Sequence, residues 1–155
     1  MKYKKIILII LAIICFGVIF AFSNQNSSES LGLSNKLIIK TYETIHNCTL
    51  NSSEQKKIIK KYNYIVRKSA HFTIYFILGI IIIQLLSCFN IKNKYKLIII
   101  SIIICFSYAL TDEFHQSFVG RSARFIDVCI DTSGATISII LNYLLFIRKK
   151  VIKNK

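Results

Sequence analysis

The sequence predicts an all-α integral membrane protein: a bundle of four transmembrane helices, with an amphipathic extracytoplasmic loop between the first and second. Three observations carry this. Of the 155 residues, 54% are hydrophobic and 18% charged, and proline and tryptophan are absent. The apolar residues come in blocks long enough to cross a hydrocarbon slab of about 30 Å, not at the spacing of a soluble core. The lysines border those blocks, where they anchor helix ends and meet anionic headgroups. A single membrane domain over residues 1–155 follows. The formal net charge of +14 invites a nucleic-acid reading, but the placement of the lysines assigns the charge to the lipid bilayer instead. Five cysteines make an odd count. Four of them (Cys15, Cys88, Cys105, Cys129) lie in apolar runs, so neither a disulfide framework nor a metal-binding spacing is expected.

Taken in order, Lys2-Tyr-Lys-Lys5 precedes an apolar run over residues 6–22. That pattern resembles a signal peptide, yet Phe20-Ala-Phe-Ser23 is a poor cleavage site and more spanning runs follow, so a retained first helix is predicted. Residues 23–66 are polar. Within them, residues 33–45 and 53–66 intersperse apolar and basic positions, as expected of amphipathic helices lying on a membrane surface; the alternative is a solvated linker, and the second stretch runs directly into the next apolar block. The second spanning segment covers residues 69–89 and the third 97–114, separated by a basic turn. The fourth covers 126–147, followed by a basic tail. Gln84, isolated in the second segment, suits a hydrogen bond between helices. Lys2, Lys4 and Lys5 abut the first helix, whereas no basic residue follows its end until Lys36. Nearby charge weighs most, so both termini are expected in the cytoplasm.

The stretch over residues 111–131 stands out. It holds four of the seven carboxylates (Asp112, Glu113, Asp127, Asp131), together with His115, Arg121 and Arg124. Hydrocarbon-facing helices reject such groups at a few kcal/mol each. At a rise of about 1.5 Å per residue, Asp112 lies roughly 22 Å above Leu97, Asp131 roughly 24 Å above Ile147, and His71 roughly 27 Å above Phe89. These groups therefore reach the outer interface at nearly one level. Their spacing also gives each helix one polar stripe: Arg67, His71 and Tyr75; Ser101, Cys105, Tyr108, Asp112 and His115; Asp127, Asp131, Gly134, Ser138 and Asn142. Gly134 and Ser138 form a small-xxx-small pair that admits a close neighbour. Facing one another, the stripes predict an outward-opening pocket. The alternative is structural: Lys68 as a headgroup anchor, and Asp127 and Asp131 as partners of Arg67, Arg121 or Arg124.

Arg67-Lys-Ser-Ala-His-Phe-Thr-Ile-Tyr75, Asp112-Glu-Phe-His-Gln-Ser-Phe118, Gly120-Arg121 and Asp127 with Asp131 and Gly134 resemble the VanZ-like family, as does Ser23-Asn-Gln25 after the first helix. The resemblance covers roughly the whole chain and departs from the family at Val119-Gly120, where a proline usually precedes the glycine. It implies a bacterial cell membrane and an envelope role. The family takes its name from a small protein of glycopeptide-resistance clusters associated with low-level teicoplanin resistance.

Three function classes are open. The first is an intramembrane enzyme on a lipid-linked or phosphate-bearing envelope substrate. In it Asp112 or Glu113 works with His115 or His71 as general acid and base, and Asp127 and Asp131 hold a divalent cation or a nucleophilic water. Arg67, Arg121, Tyr75 and Gln116 bind the substrate, since guanidinium recognises phosphate in bidentate fashion. The second is a non-catalytic binder or organiser of surface lipid or antibiotic, using the same arginines. The third is an ion-coupled transporter, against which stands the absence of any acidic residue or histidine in the cytoplasmic half. The residues identify no cofactor.

Overall fold

Residues 2–24, 27–89, 91, 93–119 and 123–147 are described by a computed structural model, in which every element is helical. Helix α1 is Lys2–Ser23, α2 Ser27–His46, α3 Ser52–Ser87, α4 Lys94–Phe118 and α5 Phe125–Asn142, closed by a π turn over Tyr143–Ile147. Lys2–Ser23, Ser52–Ser87, Lys94–Phe118 and Phe125–Leu145 are each long and apolar enough to cross a membrane. The all-α, four-span class is therefore as predicted.

The loop between the first two spans is organised differently from the expectation. Asn51 accepts hydrogen bonds from the N–H groups of Ser53 and Glu54, and Glu54 returns its carboxylate to the Asn51 N–H. This capping box starts α3 at Ser52. With no proline, and no glycine before Gly79, the helix then runs 36 residues without a break. That is about 54 Å, nearly twice the hydrocarbon thickness. Residues 53–66 are thus the N-terminal extension of a spanning helix, not a separate surface helix. Helix α2 folds back along this extension. Asn47 takes a left-handed φ of 47° at its end, Glu43 accepts from the Leu50 N–H at 2.9 Å, and Asn63 donates to Asn35 at 2.7 Å. Asn93 caps α4 by accepting from Tyr95 and Lys96 N–H, so α4 begins three residues before the apolar run.

Helices α3 and α5 form the central pair and run parallel: Lys68 meets Asp127, His71 meets Asp131, and Gln84 donates to Asn142 at 2.8 Å, in ascending order down both. A methyl group on Gly134 would sit 2.5 Å from the Phe72 carbonyl oxygen, and one on Gly79 would sit 2.6 Å from that of Ala135. Glycine is required at both places because backbone lies against backbone. The small-xxx-small expectation at Gly134 and Ser138 holds, with Gly79 as the partner of Ser138. Tyr75, Leu78, Ile83, Cys105, Ala109, Ala135 and Ile139 fill the core. Helix α1 closes the bundle, antiparallel to α3 and parallel to α4. Lys4 reaches Gln84 at 3.2 Å, as Gln84's expected role between helices requires, and Tyr108 donates to the Phe16 carbonyl at 2.7 Å.

Candidate functional site

The close α3–α5 contact decides where the polar residues meet. Phe72 lies against Gly134, so His71, one residue earlier, is drawn beside Asp131, one turn earlier on α5. His71 Nδ1 stands 3.6 Å from Asp131 Oδ2. Asp112 completes the group from the last two turns of α4. One ligand-capable atom from each of His71, Asp112 and Asp131 lies within 4.8 Å of the others. Asp112 and Asp131 are only 4% and 2% exposed, while His71 is half-buried. Three spanning helices thus deliver three ionisable side chains to one depth.

Around this trio the partners are specific. Gln116 Nε2 donates to Asp112 Oδ2 at 3.0 Å and to Ser23 Oγ at 3.2 Å, and the Ser23 hydroxyl also hydrogen-bonds to Asp112. Gln116, expected at the substrate, is instead buried behind Asp112. Tyr75 is fully buried one turn below His71 and lies within electrostatic range of both Asp112 and Asp131. Among the described residues, its hydroxyl and Asp131 Oδ1 meet no hydrogen-bond partner.

The other predicted residues divide away from the trio. Lys68, expected as a headgroup anchor, forms an ion pair with Asp127 and lies within electrostatic range of Glu113. Asp127 therefore sits with a lysine from α3, not beside Asp131 as half of a cation pair, because the two aspartates are one turn apart and meet different turns of α3. Glu113 Oε1 accepts from the Arg124 N–H at 2.7 Å, which anchors the start of α5. His115 turns toward α1, its ring 4.8 Å from that of Phe20 and its Nε2 3.4 Å from Asn24 Oδ1. The buried face of α4 runs through Ser101, Cys105, Ala109, Asp112 and Gln116, so the step of three to His115 leaves that face. Arg67 is half-buried one turn beyond His71. Arg121, with Gly120, lies outside the described residues. An open groove lined by Phe106, Cys129, Thr132, Ser133, Thr136 and Ile137 runs along the opposite flank of α5 from Asp131.

A family model described as VanZ/LLP1 matches residues 8–147. The chain belongs to the VanZ/LLP1 family. The match runs from α1 to the end of the π turn, so all the residues of the site fall inside the VanZ/LLP1 region. Comparison with curated proteins gave no match, and comparison with solved structures gave none. Two residues in and beside this VanZ/LLP1 site, Ser23 behind Asp112 and Lys68 in the layer above, escaped the sequence reading. Ser23 drew notice only as a poor cleavage residue and as part of Ser23-Asn-Gln25, and Lys68 only as an anchor. For Lys68 a signal existed, since it and Asp127 sit at corresponding ends of two spanning runs.

Proposed function

We propose that this VanZ-family protein acts on a lipid-linked or phosphate-bearing envelope component at the outer face of a bacterial cell membrane. His71, Asp112 and Asp131 form its acid/base centre. The observation that carries this reading is the convergence of those three side chains, from α3, α4 and α5, within 4.8 Å. Groups so buried are expensive in a bilayer and mark functional sites there. Half-buried His71 is the member that meets substrate, and a histidine exchanges protons near neutral pH. Asp131 faces its imidazole at 3.6 Å, and Asp112, held by Gln116 and Ser23, supplies the second carboxylate. Arg67, one turn nearer the helix end, suits the phosphate.

Both termini are taken as cytoplasmic from the charges at the start of α1, which turns the site outward. The test is lipid profiling of cells with and without the gene, and with His71→Gln, Asp112→Asn and Asp131→Asn at matched membrane levels. Each change is expected to slow conversion by about 100-fold or more. Teicoplanin susceptibility is scored in the same strains. An unchanged envelope lipid profile refutes the enzyme. It leaves the binder, whose support is the exposed row Lys56, Lys57, Lys60 and Lys61 on the α3 extension. For a binder, Arg67→Gln and loss of those lysines are the damaging changes.

A further inference from the structure

The geometry points to a divalent transition-metal site at His71, Asp112 and Asp131, of the kind that takes Zn2+ or Mn2+. This rests on the same three side chains read above as the functional centre. The first argument is charge. Asp112 and Asp131 are almost fully buried, Lys68 is engaged with Asp127, and the one basic group in the trio is an imidazole. Two buried carboxylates facing one imidazole, with no lysine or arginine beside them among the described residues, form a donor set whose charge a divalent cation would balance.

The second argument is distance. At 3.6 Å, His71 Nδ1 and Asp131 Oδ2 are too far apart for a hydrogen bond. Donors at about 2.0–2.2 Å from one shared ion stand roughly 3.3–3.6 Å apart in tetrahedral geometry, and at most about 4.4 Å apart on opposite sides of it. All three donor atoms lie within 4.8 Å of one another, close enough that modest side-chain rotations would bring them around one ion.

The third is independent of the cluster. The Tyr75 hydroxyl, fully buried and in range of both carboxylates, has no hydrogen-bond partner among the described residues. A tyrosine hydroxyl this deep normally finds one. A water or substrate oxygen on the ion's open position would satisfy it.

The donor set narrows the ion. One imidazole nitrogen with two carboxylates disfavours Ca2+ and Mg2+, which take all-oxygen shells. Three protein ligands with a position left open is the catalytic pattern, not the closed structural one. Gln116 and Ser23 hold Asp112 from behind, the outer-shell support that fixes a ligand's orientation. Such an ion would polarise a phosphoryl oxygen or acidify a bound water.

The experiment uses the full chain in detergent, stripped with a chelator, incubated with Zn2+ or Mn2+, desalted and measured for bound metal by mass spectrometry. About one ion per chain is expected, with a rise in apparent melting temperature of several degrees that Mg2+ does not reproduce. Asp131→Asn and His71→Gln should lose the ion. Tyr75→Phe, which keeps the packing, should retain it with affinity weakened several-fold. No ion in the wild type, or equal binding in Asp131→Asn, overturns the site. If the Asp131 variant does not fold, equal affinity in Tyr75→Phe together with no melting shift in the wild type overturns it as well. Lipid conversion that persists in metal-free protein leaves the acid/base reading standing, whereas metal binding without any lipid change removes that reading and keeps the ion.

Discussion

Gly134→Ala adds a single methyl group and tests the link between helix packing and the site. The new Cβ would lie 2.5 Å from the Phe72 carbonyl oxygen, 3.2 Å from its carbonyl carbon and 3.3 Å from a ring carbon. Two of these atoms are backbone and cannot rotate aside. Ordinary contact begins near 3.4 Å, so α3 and α5 must part locally by roughly 1 Å. Overpacking of this kind costs about 1–3 kcal/mol, set against the roughly 1 kcal/mol by which alanine betters glycine inside a helix. A net loss of up to about 2 kcal/mol remains, read as a lower apparent melting temperature in detergent. The functional loss should be larger. The separation falls one turn from the contact of His71 with Asp131, and a misplacement of about 1 Å can cost about 100-fold in rate. Gly17→Ala is the control: its methyl meets nothing within 4 Å, so it should be neutral or slightly stabilising. Wild-type stability and wild-type lipid conversion in Gly134→Ala would refute the argument that this contact sets the site.

Two further outcomes follow from the partners of the carboxylates. Glu113→Gln keeps a carbonyl to accept the Arg124 N–H and should leave lipid conversion within a few-fold of wild type, whereas Glu113→Leu loses that bond at about 1–2 kcal/mol; conversion abolished by Glu113→Gln in a stable protein would return Glu113 to the chemistry. Lys68→Met strands Asp127, and with both side chains partly exposed at 22% and 15% a loss of about 1–2 kcal/mol is expected rather than the 3–5 of a fully buried pair. Adding Asp127→Leu should restore most of that stability in a double-mutant cycle; purely additive losses would mean the pair is not coupled.

How much of this was legible in the sequence depended on the kind of signal. The four spans are set by long apolar blocks, and their ends by asparagine caps and charged borders, all local properties. The stripes on α3 and α5 could also be read, because Tyr75, Asp131, Gly134, Ser138 and Asn142 repeat at helical spacing and a helix admits one buried face. The continuity of α3 was harder. Lys56, Lys57, Lys60 and Lys61 signal a membrane surface, and only the lack of any breaker between Ser52 and Gly79 shows that the helix does not stop there. Which carboxylate meets which base lay beyond periodicity. On α4 the steps of three and four from Asp112 lead to His115 and Gln116, and both fit a stripe. Their sorting depends on where α1 packs, since Phe20 and Asn24 take His115 while Ser23 takes Gln116. A rotation of that kind is a tertiary property.

The division of polar groups into two layers has a physical logic. Within a bilayer, apolar burial does little to hold helices together, so close backbone contact and hydrogen bonds between helices must do so. Helices α3 and α5 satisfy this at both ends of their contact. Gln84 with Asn142 pins one end, Gly79 with Ser138 and Gly134 with Phe72 bring the backbones together between, and Lys68 with Asp127 closes the other. Glu113 then ties α4 to the first residue before α5. With Lys68 engaged by Asp127 in the outer layer, the inner layer of His71, Asp112 and Asp131 has no lysine or arginine contact among the described residues. Had a lysine stood one turn further along α3, in place of His71, it would have met Asp131 and left no place for a cation or a substrate proton. The structural ion pair thus lies one turn above the reactive group, where it holds the helices in register without quenching the chemistry below it.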